Sequence, residues 1–445
     1  MKKAVFILFF ISISFNGFSQ FFTEKSSSKL QKGITKYEGF YDFYHDKNTD
    51  KIYLQIEALD KEFLYMRSLS EGIGSNDIGL DRGQLGDGVV VSFQRFGNKI
   101  MLIQPNQDYR AITTNQEEKQ AVKEAFAKSV LHGFVIKQEK KGVFLVDATS
   151  FFMRDAHGVA KTLARNKQGT YNLDTSKSAF YTQRTKAFPK NVEFDVMLTF
   201  KGSPKGALLQ SVTPDASLVT VHQHHSFVVL PDNAYKPRKF DTRSGGYAMS
   251  YLDYATPVNE SIRQRFVYRH RLEKKNPNAA VSEAKEPIVY YLDRGTPEPV
   301  RSALLDGGRW WNQAFEAIGY KNAFQMKLLP EGADPLDIRY NMVQWVHRST
   351  RGWSYGASIA DPRTGEIIKG HVSLGSLRIR QDFLIAQALQ APYKKDTIDD
   401  SFALQMAIAR IRQLSAHEIG HTLGFAHNFA ASTNNRASVM DYPHP

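Results

Sequence analysis

Residues 417–427 read His-Glu-Ile-Gly-His-Thr-Leu-Gly-Phe-Ala-His (HEIGHTLGFAH). Just upstream, between Phe402 and Leu414, Leu404, Ile408 and Ile411 recur at spacings of four and three, which predicts a helix. If that helix continues, His417 and His421 stand at i and i+4, one above the other on one face. Two imidazoles so placed can reach a single zinc ion. Glu418 is rotated by about 100° from His417. It can act on a water at the metal without being a ligand. Gly424 accepts the left-handed conformation that closes a helix, and the chain then turns to bring His427 as a third nitrogen. Three protein ligands and one open position form a catalytic rather than a structural zinc arrangement.

Working outward, the predicted helix starts near Ser401 and ends at Gly424, with further helical sequence from Leu377. Ser354 to Ala360 and Ile367 to Leu374 read as two strands around the turn Asp361-Pro-Arg-Thr-Gly365. Either could be a sheet edge. Asp337 to Val346, Phe324 to Leu329 and Pro287 to Leu292 are further strand candidates, and Pro299 to Ile318 is predicted as one long helix. Strand, helix, strands, then helices implies an α/β layer over residues 287–445. The polar run from Lys274 to Lys285 is expected to be a linker, residues 273–286. Trp310 and Trp311 are expected to be packing aromatics. Asp361 and Glu366 are expected on a solvated loop.

Before residue 273 the pattern is mostly β. Lys51 to Ile56 (KIYLQI) alternates polar and apolar residues, and Glu62 to Arg67 does the same. Val89 to Phe96 and Lys99 to Gln104 flank Gly97-Asn98 as a hairpin. Phe134 to Gln138 and Val143 to Asp147 form another, and Glu193 to Phe200 and Leu218 to Leu230 add strands. One helix is expected, opened by a capping box Thr114-Asn-Gln-Glu117, carrying Val122, Phe126 and Val130, and stopped by Gly133. His222, His224 and His225 are expected as a surface cluster. Asp241, Arg243 and Tyr247 are expected as an ion pair around a glycine turn. The fold class is therefore multi-domain α+β: a β-rich region over residues 37–272 and an α/β unit over 287–445.

The 445 residues include 58 Lys and Arg against 45 Asp and Glu, a formal +13, with 42% hydrophobic residues and no cysteine. The length suits two to three domains. The missing thiols exclude disulfides, thiolate zinc sites and Cys nucleophiles. Lys2 and Lys3, the apolar run Ala4 to Phe15, and Gly17 and Ser19 read as a secretory signal peptide, residues 1–19. The run is too short to span a bilayer. Stable membrane insertion is not expected after its removal, and the protein is expected to be secreted, periplasmic or on the cell surface. Residues 20–36 are Ser- and Lys-rich and expected to be mobile. Basic residues are dispersed, and no nucleic-acid-binding module is recognisable. Oligomeric state is not legible.

HEIGHTLGFAH resembles the extended zinc signature of the metzincin metallopeptidases. Met440, in Ser438-Val-Met-Asp-Tyr442, resembles that family's Met-turn, a hydrophobic floor beneath the metal. The chain as a whole is similar to a family of secreted bacterial zinc-dependent metalloproteases through TPEPVRSALLDGGRWWNQAFEAIGY, WVHRSTRGWSYG and HNFAASTNNRASVMDYPHP. The resemblance implies zinc held by His417, His421 and His427, Glu418 as general base, a protein or peptide substrate, and a β-rich region of unknown role. It implies that Tyr442, two residues after the Met, stabilises an oxyanion or packs beside Pro443. It also implies chain beyond Pro445, so the peptidase unit is expected to be C-terminally incomplete. Two other classes fit the residues: a zinc hydrolase acting on another amide or an ester, and a surface binding protein with a vestigial zinc site.

Overall fold

A computed structural model describes residues 33–390 and 400–442. The expected signal peptide lies outside them, as do residues 20–32 of the expected mobile segment. Ile34–Tyr37, at the end of that segment, is instead a strand paired with Phe43–Asp46.

Among the described residues the β-rich region forms a 13-stranded sheet and a separate three-stranded one of Arg263–Val267, Ala248–Asp253 and Tyr109–Arg110. The main path of the larger sheet runs Ile34–Tyr37, Phe43–Asp46, Lys51–Ile56, Val143–Asp147, Ser129–Lys140, Lys99–Gln104, Val89–Phe96, Phe63–Glu71, Leu218–Val228, Asn191–Pro204 and Gly169–Leu173. Neighbours on this path are antiparallel throughout. The alternation in Lys51–Ile56 sends Ile52, Leu54 and Ile56 into a core rich in phenylalanine, including Phe43, Phe63, Phe93, Phe194 and Phe227. The expected hairpin forms with Phe96 opposite Lys99.

Three expectations shift. The helix caps one residue later than predicted. Asn115 Oδ1 accepts from the amides of Glu117 and Glu118, and the helix spans only Gln116–Ala125. None of its residues is buried, so nothing holds its apolar stripe as helix. Val130 and Gly133 belong to Ser129–Lys140, where they pair with Ile103 and Met101. Residues 299–318 break at Trp310 into Val300–Arg309 and Trp311–Ala317. The expected linker is hydrogen-bonded: Ser282–Glu283 pairs with Tyr320–Lys321, and Lys274 bridges Ala284.

The α/β unit has a five-stranded sheet in the order Phe324–Leu328, Ile288–Leu292, Asn341–Val346, Ile367–Gly375 and Tyr355–Ala360. The first four are mutually parallel and the last is antiparallel. Tyr355–Ala360 is therefore the edge strand near the zinc motif, and Ile367–Gly375 is interior. Val300–Arg309 and the 23-residue helix Asp400–Thr422 cover the sheet, burying Ala303, Leu304, Ile411, Leu414 and Ile419 against Tyr290, Val343 and Leu374.

The 13-stranded and five-stranded sheets are joined by buried polar contacts. Arg348 and Asp81 form an ion pair at 2.7 Å with both side chains almost fully buried. Asn191 donates to the Leu336 carbonyl and accepts from the Ile338 amide. No helix of the described residues is long and apolar enough to cross a membrane.

Candidate metal centre

The helix Asp400–Thr422 delivers His417, Glu418 and His421, and most of its second half is buried. It stops where Gly424 takes φ +103°. The chain reverses there and returns His427. The Nε2 atoms of His417 and His421 each lie 3.2 Å from Nε2 of His427. Among the described residues these three histidines form the only His, Cys, Asp or Glu group compact enough to hold a metal ion.

The donor set fits zinc for a reason visible in the hydrogen bonds. Nδ1 of His417 donates to the Val439 carbonyl and Nδ1 of His421 to the Phe425 carbonyl, both at 2.8 Å. Those bonds fix the tautomer and leave the Nε2 lone pairs facing one point. Burial pushes His417 down to about 4 and also lowers His421. Both rings are neutral at pH 7, as ligands must be. The three ring nitrogens lie close enough together for one cation to take all three.

Glu418 is 6% exposed. Burial pushes its carboxyl up to about 7, against the Gly356 amide and the charge of Arg378, which favour the ionised form. The edge strand is pressed onto the helix here: an added Cβ on Gly356 would fall within 3.0 Å of the Glu418 carbonyl oxygen. Met440 is buried against Gly420 and Trp311 beneath the helix. Trp311 donates to the Ala416 carbonyl at 2.7 Å and stacks on Phe425. Tyr442 is 64% exposed, with its ring 5.3 Å from that of His427.

Sequence reading missed several residues here. Tyr247, expected as part of a structural turn, lines the cleft with Oη 3.4 Å from His421 Nδ1. Its own segment clasps the turn after the helix: Tyr247 N–H donates to the Gly424 carbonyl, and Ala426 N–H to that of Gly245. The Asp241–Arg243 pair of the same turn forms as expected, at 2.7 Å. Arg351, Arg378 and Arg410 also line the cleft, a cavity of about 670 Å³. Arg410 was detectable, standing at i−7 from His417.

Other candidates fall elsewhere. His222, His224 and His225 are buried, not on the surface. His222 and His224 both bond Asp195, and His224 also bonds Glu193 at 2.5 Å. Two carboxylates on the facing strand Asn191–Pro204 make burial of His222 and His224 tolerable, while His225 bonds Tyr65 Oη and the Phe152 carbonyl. Asp361 and Glu366 are buried rather than solvated, and are claimed by Arg363 and Arg271.

The fold and site define a multi-domain α+β protein with a C-terminal region like the metzincins. Residues 399–445 match a family described as Met-zincin, and residues 83–275 match a domain of unknown function, DUF5117. No curated protein and no solved structure matches the chain.

Proposed function

We propose that this chain is an exported zinc metallopeptidase whose catalytic unit spans residues 287–445, with the β-rich region 37–272 as its scaffold. His417, His421 and His427 hold the zinc ion. When bound, zinc supplies a Lewis acid that polarises the scissile carbonyl and lets water ionise near neutral pH. Glu418 takes the proton of the attacking water and hands it to the departing amine. Burial raises this carboxyl, which favours its accepting a proton and passing it on. The Gly356 amide holds that carboxylate in place. Tyr442, with its ring 5.3 Å from that of His427, donates to the developing oxyanion in this reading. The substrate lies along Tyr355–Ala360, which has a strand neighbour on one side only among the described residues, and adds to it through main-chain hydrogen bonds. Export rests on the leader-like residues 1–19.

The convergence of three imidazoles beside a buried carboxylate carries this reading. The test pairs metal analysis with digestion of an unfolded protein such as casein, with and without chelator. One zinc per chain and chelator-sensitive digestion are expected. Glu418→Gln should keep the zinc and lose at least about a hundredfold in turnover. Digestion that survives either chelation or Glu418→Gln refutes it.

A further inference from the structure

The helix face that carries the ligands extends towards the helix N-terminus. Arg410 precedes His417 by seven residues, two turns or about 10 Å along the axis, on the same side. It is 9% exposed, and its Nε has no hydrogen-bond partner among the described residues. Its Nη1 reaches Gln413. Arg378, at the start of Arg378–Leu389, is held by Asp382 through Nε at 2.9 Å, while the other Asp382 oxygen is unpartnered. Arg351, exposed, comes from the loop before the edge strand. All three line the zinc cleft, and Glu418 is the only carboxylate lining it among the described residues. Burial and the charge of Arg378 hold both Arg351 and Arg410 below the usual guanidinium range.

Like charges gathered in a half-buried cleft repel one another, and desolvation removes the water that would screen them. Asp382 offsets one of the three. The excess faces the space where substrate must lie. A planar guanidinium matches a carboxylate with two parallel hydrogen bonds, and the orphaned Nε of Arg410 supplies such an edge. We propose that Arg351, Arg378 and Arg410 form a carboxylate-recognising subsite. The substrate class is then acidic peptide, with an Asp or Glu side chain, or a free C-terminal carboxylate, within a residue or two of the scissile bond. This rests on the peptidase reading, whose failure the experiment reports separately.

The probe is a set of fluorescently labelled decapeptides in which one Gln is replaced by Glu at each successive position, each made with an amidated and a free C-terminus. Binding is read by anisotropy on the zinc-loaded Glu418→Gln chain. At one position Glu should bind about ten- to a hundredfold tighter than Gln if a side chain is recognised. The free acid should beat the amide by the same factor if the terminus is recognised. Arg351→Gln and Arg378→Gln, checked for zinc content and circular dichroism, should each shrink that ratio about tenfold. Equal affinities throughout, or a preference untouched by both substitutions, overturn the subsite. The wild-type chain is run on the same peptides. Cleavage without a carboxylate preference leaves the peptidase and removes the subsite. Carboxylate-selective, arginine-dependent binding without cleavage keeps the subsite and removes the peptidase.

Discussion

Replacing Gly356 by Ala isolates the contact between the edge strand and the helix that carries His417 and His421. The added Cβ would lie under 3.0 Å from the Glu418 carbonyl oxygen and 3.1 Å from the Cβ of His421. Ordinary contact begins at 3.4 Å, and the first obstacle is main chain inside a helix, so no rotamer relieves it. The strand must withdraw by on the order of 1 Å, because packed interiors hold no spare volume. Gly356 is not among the glycines with positive φ. Backbone conformation is therefore no obstacle, and losing a strand glycine would by itself stabilise by roughly 0.5–1 kcal/mol. Overpacking costs about 1–3 kcal/mol, so a net loss of roughly 1–2 kcal/mol is expected. The functional effect is larger. Withdrawal takes the Gly356 amide away from the Glu418 carboxylate, and a 1 Å misplacement can lower a rate by about a hundredfold. The three metal ligands come from the helix and the loop after it, so zinc content should hold. Peptide hydrolysis, metal analysis and thermal unfolding of Gly356→Ala measure the three terms. Full activity with an unchanged Tm would refute the claim that strand and helix are locked together.

Met440→Leu should keep zinc and lose less than about 1.5 kcal/mol, as volume-conserving swaps do, since Met440 only packs; metal loss in that variant would make it more than a floor. Asp81→Asn strips the buried Arg348 of its counter-charge and should destabilise by about 3–5 kcal/mol in urea unfolding, whereas replacing both partners by Leu should lose less than the single change. Stability should fall on both sides of about pH 6.5. Burial holds His270 and His371 neutral down to about 4, so the unfolded chain binds more protons as pH drops below 6.5 and stability is lost there. Burial alone would lower His224, but Asp195 and Glu193 outweigh it and raise it to about 9. Its contribution is full below about 6.5 and is lost as pH rises towards 9. His224→Gln should abolish the alkaline limb and leave the acid limb; an unchanged alkaline limb would sink the assignment.

What was legible in the chain was what local geometry dictates. His417 and His421 share a face because a helix repeats every 3.6 residues, and Gly424 marks the reversal that returns His427. The strands Lys51–Ile56, Val89–Phe96 and Lys99–Gln104 follow from alternation and a two-residue turn. What was illegible depends on partners distant in sequence. His222 and His224 look exposed until Asp195 and Glu193 arrive on the neighbouring strand, and His225 until Tyr65 and the Phe152 carbonyl reach it. Val130 fits a helical stripe, but the pairing with Lys99–Gln104 claims it. Arg351, Arg378 and Arg410 read as scattered surface charge because a loop and two helices bring them to one wall. Asp361 and Glu366 read as loop acids because Arg271 is 95 residues upstream of Glu366 and Arg363 folds back over its own turn.

Tyr247 belongs to the β-rich region, yet it stands beside a metal ligand, and this changes what that region is for. The turn from Leu423 to Ala426 decides where His427 points, because the helix ends before it. Within that turn Gly424 accepts from Tyr247 and Ala426 donates to Gly245. The Phe425 carbonyl is meanwhile committed to His421 Nδ1. Two of the hydrogen bonds that shape the loop before His427 thus come from the segment that leads into Ala248–Asp253, and Tyr247 Oη adds a contact to His421. Orienting partners of this kind set ligand geometry and basicity as strongly as the ligands themselves. The ion pair Arg348–Asp81 and the Asn191 bridge tie the 13-stranded sheet to the five-stranded one, and the contacts of residues 245–247 with the loop add a second link between the two regions. A β-rich region attached in this way acts as part of the metal site's frame. Residues 287–442 cut free of it would keep the bonds of His417 to Val439 and of His421 to Phe425, and lose the two hydrogen bonds that Gly245 and Tyr247 make to the turn before His427.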